Sequence, residues 1–239
     1  MSSGRICSLE ALVEGTCPEP VEGRIRKTRM KIIKITKKNT DSVVEKAIRV
    51  IGSGGVVVCP TDTIYGLIAD AANRQAVGKI FRMKKRLLTK PLPIFVKDLK
   101  MAESLAEITE RSKEILKNYW PGRVTVVLNR KGKKRIFGVD KKTIALRLPD
   151  YKLLNLILEK TNKPLAETSV NITNQPEINK IADIVSLYKN ALDKPDLILD
   201  QGDIKKNLPS TVMDLTKKEI KILRKGVTIP IWTTKKLKK

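Results

Sequence analysis

The sequence predicts a single α/β domain, a twisted mixed β-sheet with packed helices, and three observations carry that expectation. The 239 residues, 41% of them hydrophobic, suffice for one sizeable core and would be cramped as two. Extended apolar pieces outnumber clean β-α-β alternation, which favours a mixed sheet over a strictly parallel one. The stretch from Gly54 to Pro93 reads as a buried strand, a polar turn, a helix and a cationic loop, with polar residues where an α/β sheet binds its ligands.

Residues 1–29 show no sustained periodicity and are expected to form an extension outside the core. Their five Lys or Arg stand against four Glu, so nearly all the excess positive charge belongs to the remainder. Lys31 to Lys37 alternates as a strand. Thr40 or Asp41 then caps a helix whose Val43, Val44, Ala47, Ile48 and Ile51 line one face before Gly52 ends it. Gly52-Ser53-Gly54-Gly55 follows a helix and precedes a strand, the wrong order for a phosphate-cradling loop, and reads as a cap and turn. Neither G-x-x-x-x-G-K-[ST] nor a convincing G-x-G-x-x-G occurs, which argues against P-loop and Rossmann nucleotide sites.

Val56 to Cys59 is short and β-branched, as for a strand buried on both faces, and Pro60 should end it. Thr61, Asp62 and Thr63 make the polar turn. Arg74 to Met83 carries Ala76, Val77, Ile80, Phe81 and Met83 at helical spacing. Lys84, Lys85, Arg86 and Lys90 crowd the helix exit, where cations are favoured.

Pro93 to Val96 is extended, and Leu99 to Asn118 reads as one polar helical segment. After the turn at Trp120-Pro121-Gly122 come a strand from Val124 to Leu128 and an exposed loop from Lys131 to Lys134. Thr143 to Leu148 alternates so that Ile144, Leu146 and Leu148 share one face, with Thr143, Ala145 and Arg147 on the other. A helix from Tyr151 to Lys160 leads to an extended Pro164-Leu165-Ala166, and the polar run Glu167 to Asn171 reads as a loop. A helix from Ile178 to Asn190, strands at Asp196 to Asp200 and Pro209 to Asp214, and the closing Ile220 to Leu223 complete the domain. The basic tail after it is expected to be disordered.

Composition narrows the chemistry. The sequence has no histidine, which removes Ser-His triads, His general bases and His metal ligands. Cys7, Cys17 and Cys59 supply neither a disulfide framework nor close zinc-ligand pairing, so any metal is expected to be oxygen-bound and the compartment a reducing cytoplasm. No apolar run has the length of a membrane span. A net charge of +24 points to polyanionic partners, whereas 4% aromatic content leaves few stacking platforms for single-stranded RNA. A basic concave face that reads nucleic acid by shape fits both numbers.

Pro60 to Leu67 (PTDTIYGL), Lys84-Lys85-Arg86, Lys90 to Pro93 (KPLP), Ser169-Val170-Asn171, Ser210-Thr211-Val212 and Arg224-Lys225-Gly226 occur in that order. Together they resemble the YrdC-like threonylcarbamoyl-AMP synthase family, from about Met30 to Gly226. The resemblance implies a single YrdC-like catalytic domain over residues 30–228. Its implied activity is a nucleotidyl transfer that makes threonylcarbamoyl-adenylate and pyrophosphate from L-threonine, bicarbonate and ATP, with Mg²⁺ expected, for the threonylcarbamoyladenosine modification of tRNA.

By motif, it implies Lys84, Arg86, Ser169 and Asn171 as catalytic residues acting by electrostatic positioning. It implies Arg86, Lys90, Thr143, Ser169 and Arg224 at ATP, and Thr63, Arg147 and Ser210 at threonine. Arg147 has the fork that suits a carboxylate. The chain resembles the short form of the family, for which separate protein partners of a threonylcarbamoyl-transfer complex are expected. Three positions depart from the pattern: Glu167 stands where a small residue is usual, Phe95 where a polar one is accepted, and Arg123 interrupts a P-G-P turn. The alternative reading is a non-catalytic module of the same fold that binds double-stranded RNA or tRNA.

Overall fold

A computed structural model describes residues 30–229 apart from 133 and 206. The expectations for residues 1–29 and for the basic tail lie outside the described residues. In chain order the elements are β1 (Lys31–Lys34), α1 (Thr40–Gly52), β2 (Val57–Pro60), β3 (Tyr65–Asp70), α2 (Arg74–Lys84), β4 (Ile94–Phe95), α3 (Leu99–Leu105), α4 (Glu110–Lys117), β5 (Val124–Asn129), β6 (Thr143–Arg147), α5 (Lys152–Thr161), β7 (Leu165–Ser169), α6 (Ile181–Lys189), β8 (Leu197–Asp200), β9 (Thr211–Asp214) and β10 (Lys221–Arg224). The described strands form one mixed ten-stranded sheet in the order β1-β8-β2-β3-β7-β4-β6-β5-β9-β10.

The two faces of the sheet are covered differently, and this positions the site. Alternation puts Val58, Leu67, Ile94, Val126, Leu146 and Met213 on one face, where they pack with Ala76, Ile80 and Phe81 of α2, Leu105 of α3, Leu116 of α4 and Ile184 of α6. On the other face, Val57, Cys59, Ile68, Phe95, Leu165 and Leu197 meet Val43, Val44 and Ala47 of α1 and Leu154, Ile157 and Leu158 of α5. These two helices reach only part of that face. Beyond them the same face continues through Gly66, Glu167, Ser169, Arg147, Ala145 and Thr125, since Gly66 pairs with Ser169, Ile68 with Glu167 and Phe95 with Arg147, and residues directly opposite share a face. Where no helix covers the sheet, its side chains are mainly polar.

Three expectations need correction. Tyr65–Asp70 is a strand that pairs antiparallel with β2 and β7, where the sequence reading passed from a polar turn straight to the helix. All six of its residues are buried, so it has no alternation to betray it. The expected loop from Glu167 to Asn171 is strand as far as Ser169, because its polar residues face a cavity. The expected helix over 99–118 is two helices, with Ala106 extended and bridged to Arg130 between them.

Candidate active site

The cavity on the uncovered half of the sheet has a volume of about 280 Å³. Arg86, Arg147, Glu167, Ser169, Ser210 and Arg224 line it together with Thr61, Thr63 and Thr125. Its floor is β3, β7, β6, β5 and β9, and its walls are the loop after β2, the loop after α2 and the end of β10.

Helix α2 delivers two of the cations. The side chain of Asn73 caps its start by accepting from the amide of Ala76 at 3.0 Å, and Lys85 ends it in a left-handed conformation with φ 48°. The turn sends Lys84 and Arg86 to different tasks. Lys84, 2% exposed, donates through Nζ to the Ser169 carbonyl at 2.8 Å, to Ser169 Oγ at 3.3 Å and to Asn171 Oδ1. Ser169 Oγ in turn donates to Asn171 Oδ1 at 2.7 Å, and Asn171 Nδ2 to the Gln175 carbonyl at 2.5 Å. Burial, reinforced by the neighbouring Arg86 charge and opposed by Glu167 and Glu177, brings the Lys84 ammonium down to about 8.

Arg86 donates from Nε to the Lys90 carbonyl and from Nη2 to the Pro91 carbonyl, both at 2.9 Å. It thereby fastens the KPLP loop while lining the cavity. Arg224 grips the opposite wall, with Nε on the Ser210 carbonyl at 3.0 Å and Nη2 on Ser210 Oγ at 3.1 Å. Ser210 Oγ also lies 2.8 Å from Thr125 Oγ1. Arg147 is packed over the Phe95 ring at 5.6 Å from its centroid and donates to the Gly122 carbonyl at 3.0 Å and to Asp62 Oδ1 at 2.5 Å. Phe95 is therefore the apolar platform beneath Arg147. Two of the guanidinium nitrogens are already engaged, which leaves the remaining donors for a ligand.

Glu167 is partly exposed and lines the cavity. Burial raises its carboxyl, opposed by the charges of Arg147, Arg224 and Lys84 and assisted by that of Asp62. Burial lowers both Arg86 and Arg224, and Glu167 is the largest opposing influence on each. It lines the same cavity as both.

The structure brings Lys84, Arg86, Ser169, Asn171, Thr63, Arg147, Ser210 and Arg224 to or directly behind one cavity. Two sequence-predicted residues stand outside its lining. Lys90 is exposed and offers its backbone carbonyl to Arg86, and Thr143, on the Arg147 face of β6, turns its amide and hydroxyl to Asp140 Oδ1 at 3.0 and 3.3 Å. Thr125 was missed by the sequence reading, although its alternation with Val127 along β5 was the available signal. Thr61 and Asp62, which the sequence placed in the polar turn at the strand's end without a ligand role, shape the site. Thr61 Oγ1 holds the loop by donating to the Ile64 carbonyl at 2.7 Å, and Asp62 locks Arg147.

A cluster of cations beside a serine and an asparagine can stabilise negative charge that develops on a bound group. Comparison with known proteins agrees. The Sua5/YciO/YrdC family model, described as Telomere recombination, matches residues 49–226. A Methanocaldococcus jannaschii protein provisionally named threonylcarbamoyl-AMP synthase is 36% identical over 205 residues, covering 84% of this chain and 95% of its own length. The threonylcarbamoyl-AMP synthase of Pyrococcus abyssi is 31% identical over 197 residues, 82% of this chain and 57% of that protein. The chain therefore spans little more than half of that relative.

Among solved structures, Pyrococcus abyssi Sua5 complexed with L-threonine superposes with a TM-score of 0.74 at 29% identity, covering 88% of this chain and 61% of that one. E. coli YciO has the same fold, with a TM-score of 0.74 at 23% identity over 84% of this chain and 97% of its own. Sequence motifs, sheet topology and relatives converge, and the chain belongs to the Sua5/YciO/YrdC family.

Proposed function

We propose that this protein is a threonylcarbamoyl-AMP synthase, combining L-threonine, bicarbonate and ATP into threonylcarbamoyl-adenylate and pyrophosphate as the donor for tRNA modification. The observation that carries the reading is the convergence of Arg86, Arg147 and Arg224 on one cavity beside the Lys84–Ser169–Asn171 network. Residues 30–228 form the catalytic unit. Arg86 and Arg224, on opposite walls, hold the triphosphate. Lys84 fixes Ser169 and Asn171 where charge develops on the leaving phosphates. Thr63, Arg147 and Ser210 take the amino acid.

Mg²⁺ accompanies ATP, with phosphate oxygens and water as its main ligands. Positioning and fixed charge supply the catalysis. The cavity is small and enclosed by sheet and loops, a shape for small molecules, and this disfavours the double-stranded RNA module. The tRNA and any transfer proteins take part after the adenylate has formed, and the reaction is cytoplasmic. None of the described helices is long and apolar enough to cross a membrane.

Pyrophosphate release from ATP, Mg²⁺ and bicarbonate, compared with L-threonine, with L-serine and without amino acid, tests the reading. Threonine-dependent release is expected. Release at background level in all three reactions would overturn it.

A further inference from the structure

Among the described residues lining the cavity, Glu167 is the one carboxylate. It stands amid the charges of Arg147, Arg224 and Lys84, yet its carboxylate oxygens form neither a hydrogen bond nor a close ion pair with any described residue. A carboxylate retained only to balance the surrounding cations would be expected to grip one of them, as Asp62 grips Arg147. The pairing capacity of Glu167 is instead left open to the cavity.

Its location narrows what it receives. A Cβ at Gly66 would lie 4.0 Å from Glu167 Oε2 and 3.6 Å from the Thr61 methyl. The carboxylate therefore lies over the bare backbone of β3, beside the Thr61 to Thr63 loop and on the same sheet face as Arg147. An α-amino acid enters such a site as a zwitterion. Its carboxylate finds abundant cations here, but its ammonium would be enclosed among like charges unless an anion met it.

We infer that Glu167 receives the α-ammonium of the amino-acid substrate, completing a three-point site in which Arg147 takes the carboxylate and Thr63 the side-chain hydroxyl. The arrangement selects a β-hydroxy α-amino acid and discriminates against an acid that lacks the amine. The inference rests on the proposed function.

Calorimetric titration of L-threonine and of 3-hydroxybutanoate, the same acid without the amine, into wild-type, Glu167→Gln and Glu167→Ser proteins tests it, with Mg²⁺-ATP titrated into each sample. Loss of one charge-assisted hydrogen bond predicts at least about a tenfold weakening of L-threonine in both variants. Binding of 3-hydroxybutanoate and of ATP should be no weaker, which also reports an intact fold. Unchanged L-threonine binding in the variants overturns the inference alone. So does an equal loss for both acids, or a change confined to the Mg²⁺ requirement. A wild-type protein that binds no L-threonine overturns the functional reading and this inference together.

Discussion

Arg147 and Asp62 meet at 2.5 Å with both side chains buried, and they form a partition: Arg147 lines the cavity on the sheet, whereas Asp62 lines a neighbouring one beneath Trp120 and Arg123. Arg147→Ala leaves Asp62 buried without its partner and should destabilise the fold by about 3–5 kcal/mol. The Asp62→Asn/Arg147→Ala double variant should recover part of that loss in urea unfolding. In the double variant the threonine requirement should remain raised; an effect confined to ATP would remove Arg147 from the amino-acid site.

Lys84 predicts a pH dependence. Its ammonium in the folded protein titrates near 8 rather than 10.5, so the cation that orders Ser169 and Asn171 is lost as pH rises through about 8. Turnover of the free enzyme, followed as kcat/KM for ATP, should fall on that alkaline limb. The stability consequence has the opposite sign. The penalty of burying the charge is fully present below about 8 and is relieved between 8 and 10.5, where the unfolded chain binds more protons. Lys84→Met should abolish the alkaline limb along with most of the activity.

Arg86 performs two tasks, and its removal should show both. Arg86→Ala should weaken ATP binding at least tenfold, in keeping with roughly 1.5–3 kcal/mol for a charged hydrogen bond, and should abolish measurable turnover. It also releases the Lys90 and Pro91 carbonyls, so proteolysis should become faster within 85–91. Unchanged ATP binding would sink the phosphate role.

Gly226 tests the far wall without touching a ligand group. A Cβ there would stand 2.3 Å from the Pro209 carbonyl oxygen and 2.5 Å from the Thr211 amide nitrogen. Gly226→Ala should therefore push the segment after β10 away from β9, with a loss of about 1–3 kcal/mol in thermal unfolding. Displacing Arg224 from Ser210 should also raise the KM for ATP. A variant with native KM would separate Arg224 from the nucleotide.

Much of this was legible in the sequence where a residue's surroundings change with the period of its element. Alternation in β6 put Arg147 opposite Ile144 and Leu146, and the apolar spacing of α2 ended where Lys84 begins its hydrogen bonds. Legibility failed where both sides of an element are alike, as in β3, or where polarity marks a cavity rather than solvent. Glu167 and Ser169 looked like part of a loop because a sequence pattern cannot tell polarity that faces solvent from polarity that faces a cavity. Thr143 shows the converse failure: the shared face was correct, but Asp140 captures its polar groups before the cavity is reached.

The order of the strands has a consequence for how the protein is made. The first described strand, β1, pairs with β8, and the wall carrying Ser210 and Arg224 is built from β9 and β10, the last described strands. Sheets dominated by such distant pairings fold slowly, and during synthesis the N-terminal elements emerge from the ribosome well before their partners. The Lys84–Ser169–Asn171 network can form once β7 is in place, but the cavity stays open on one side until the final hairpin docks. A nascent chain thus lacks a closed cavity until β9 and β10 have been translated, and a truncation just before β10 should yield a protein that retains much of its sheet and, on the proposed function, has lost its grip on ATP.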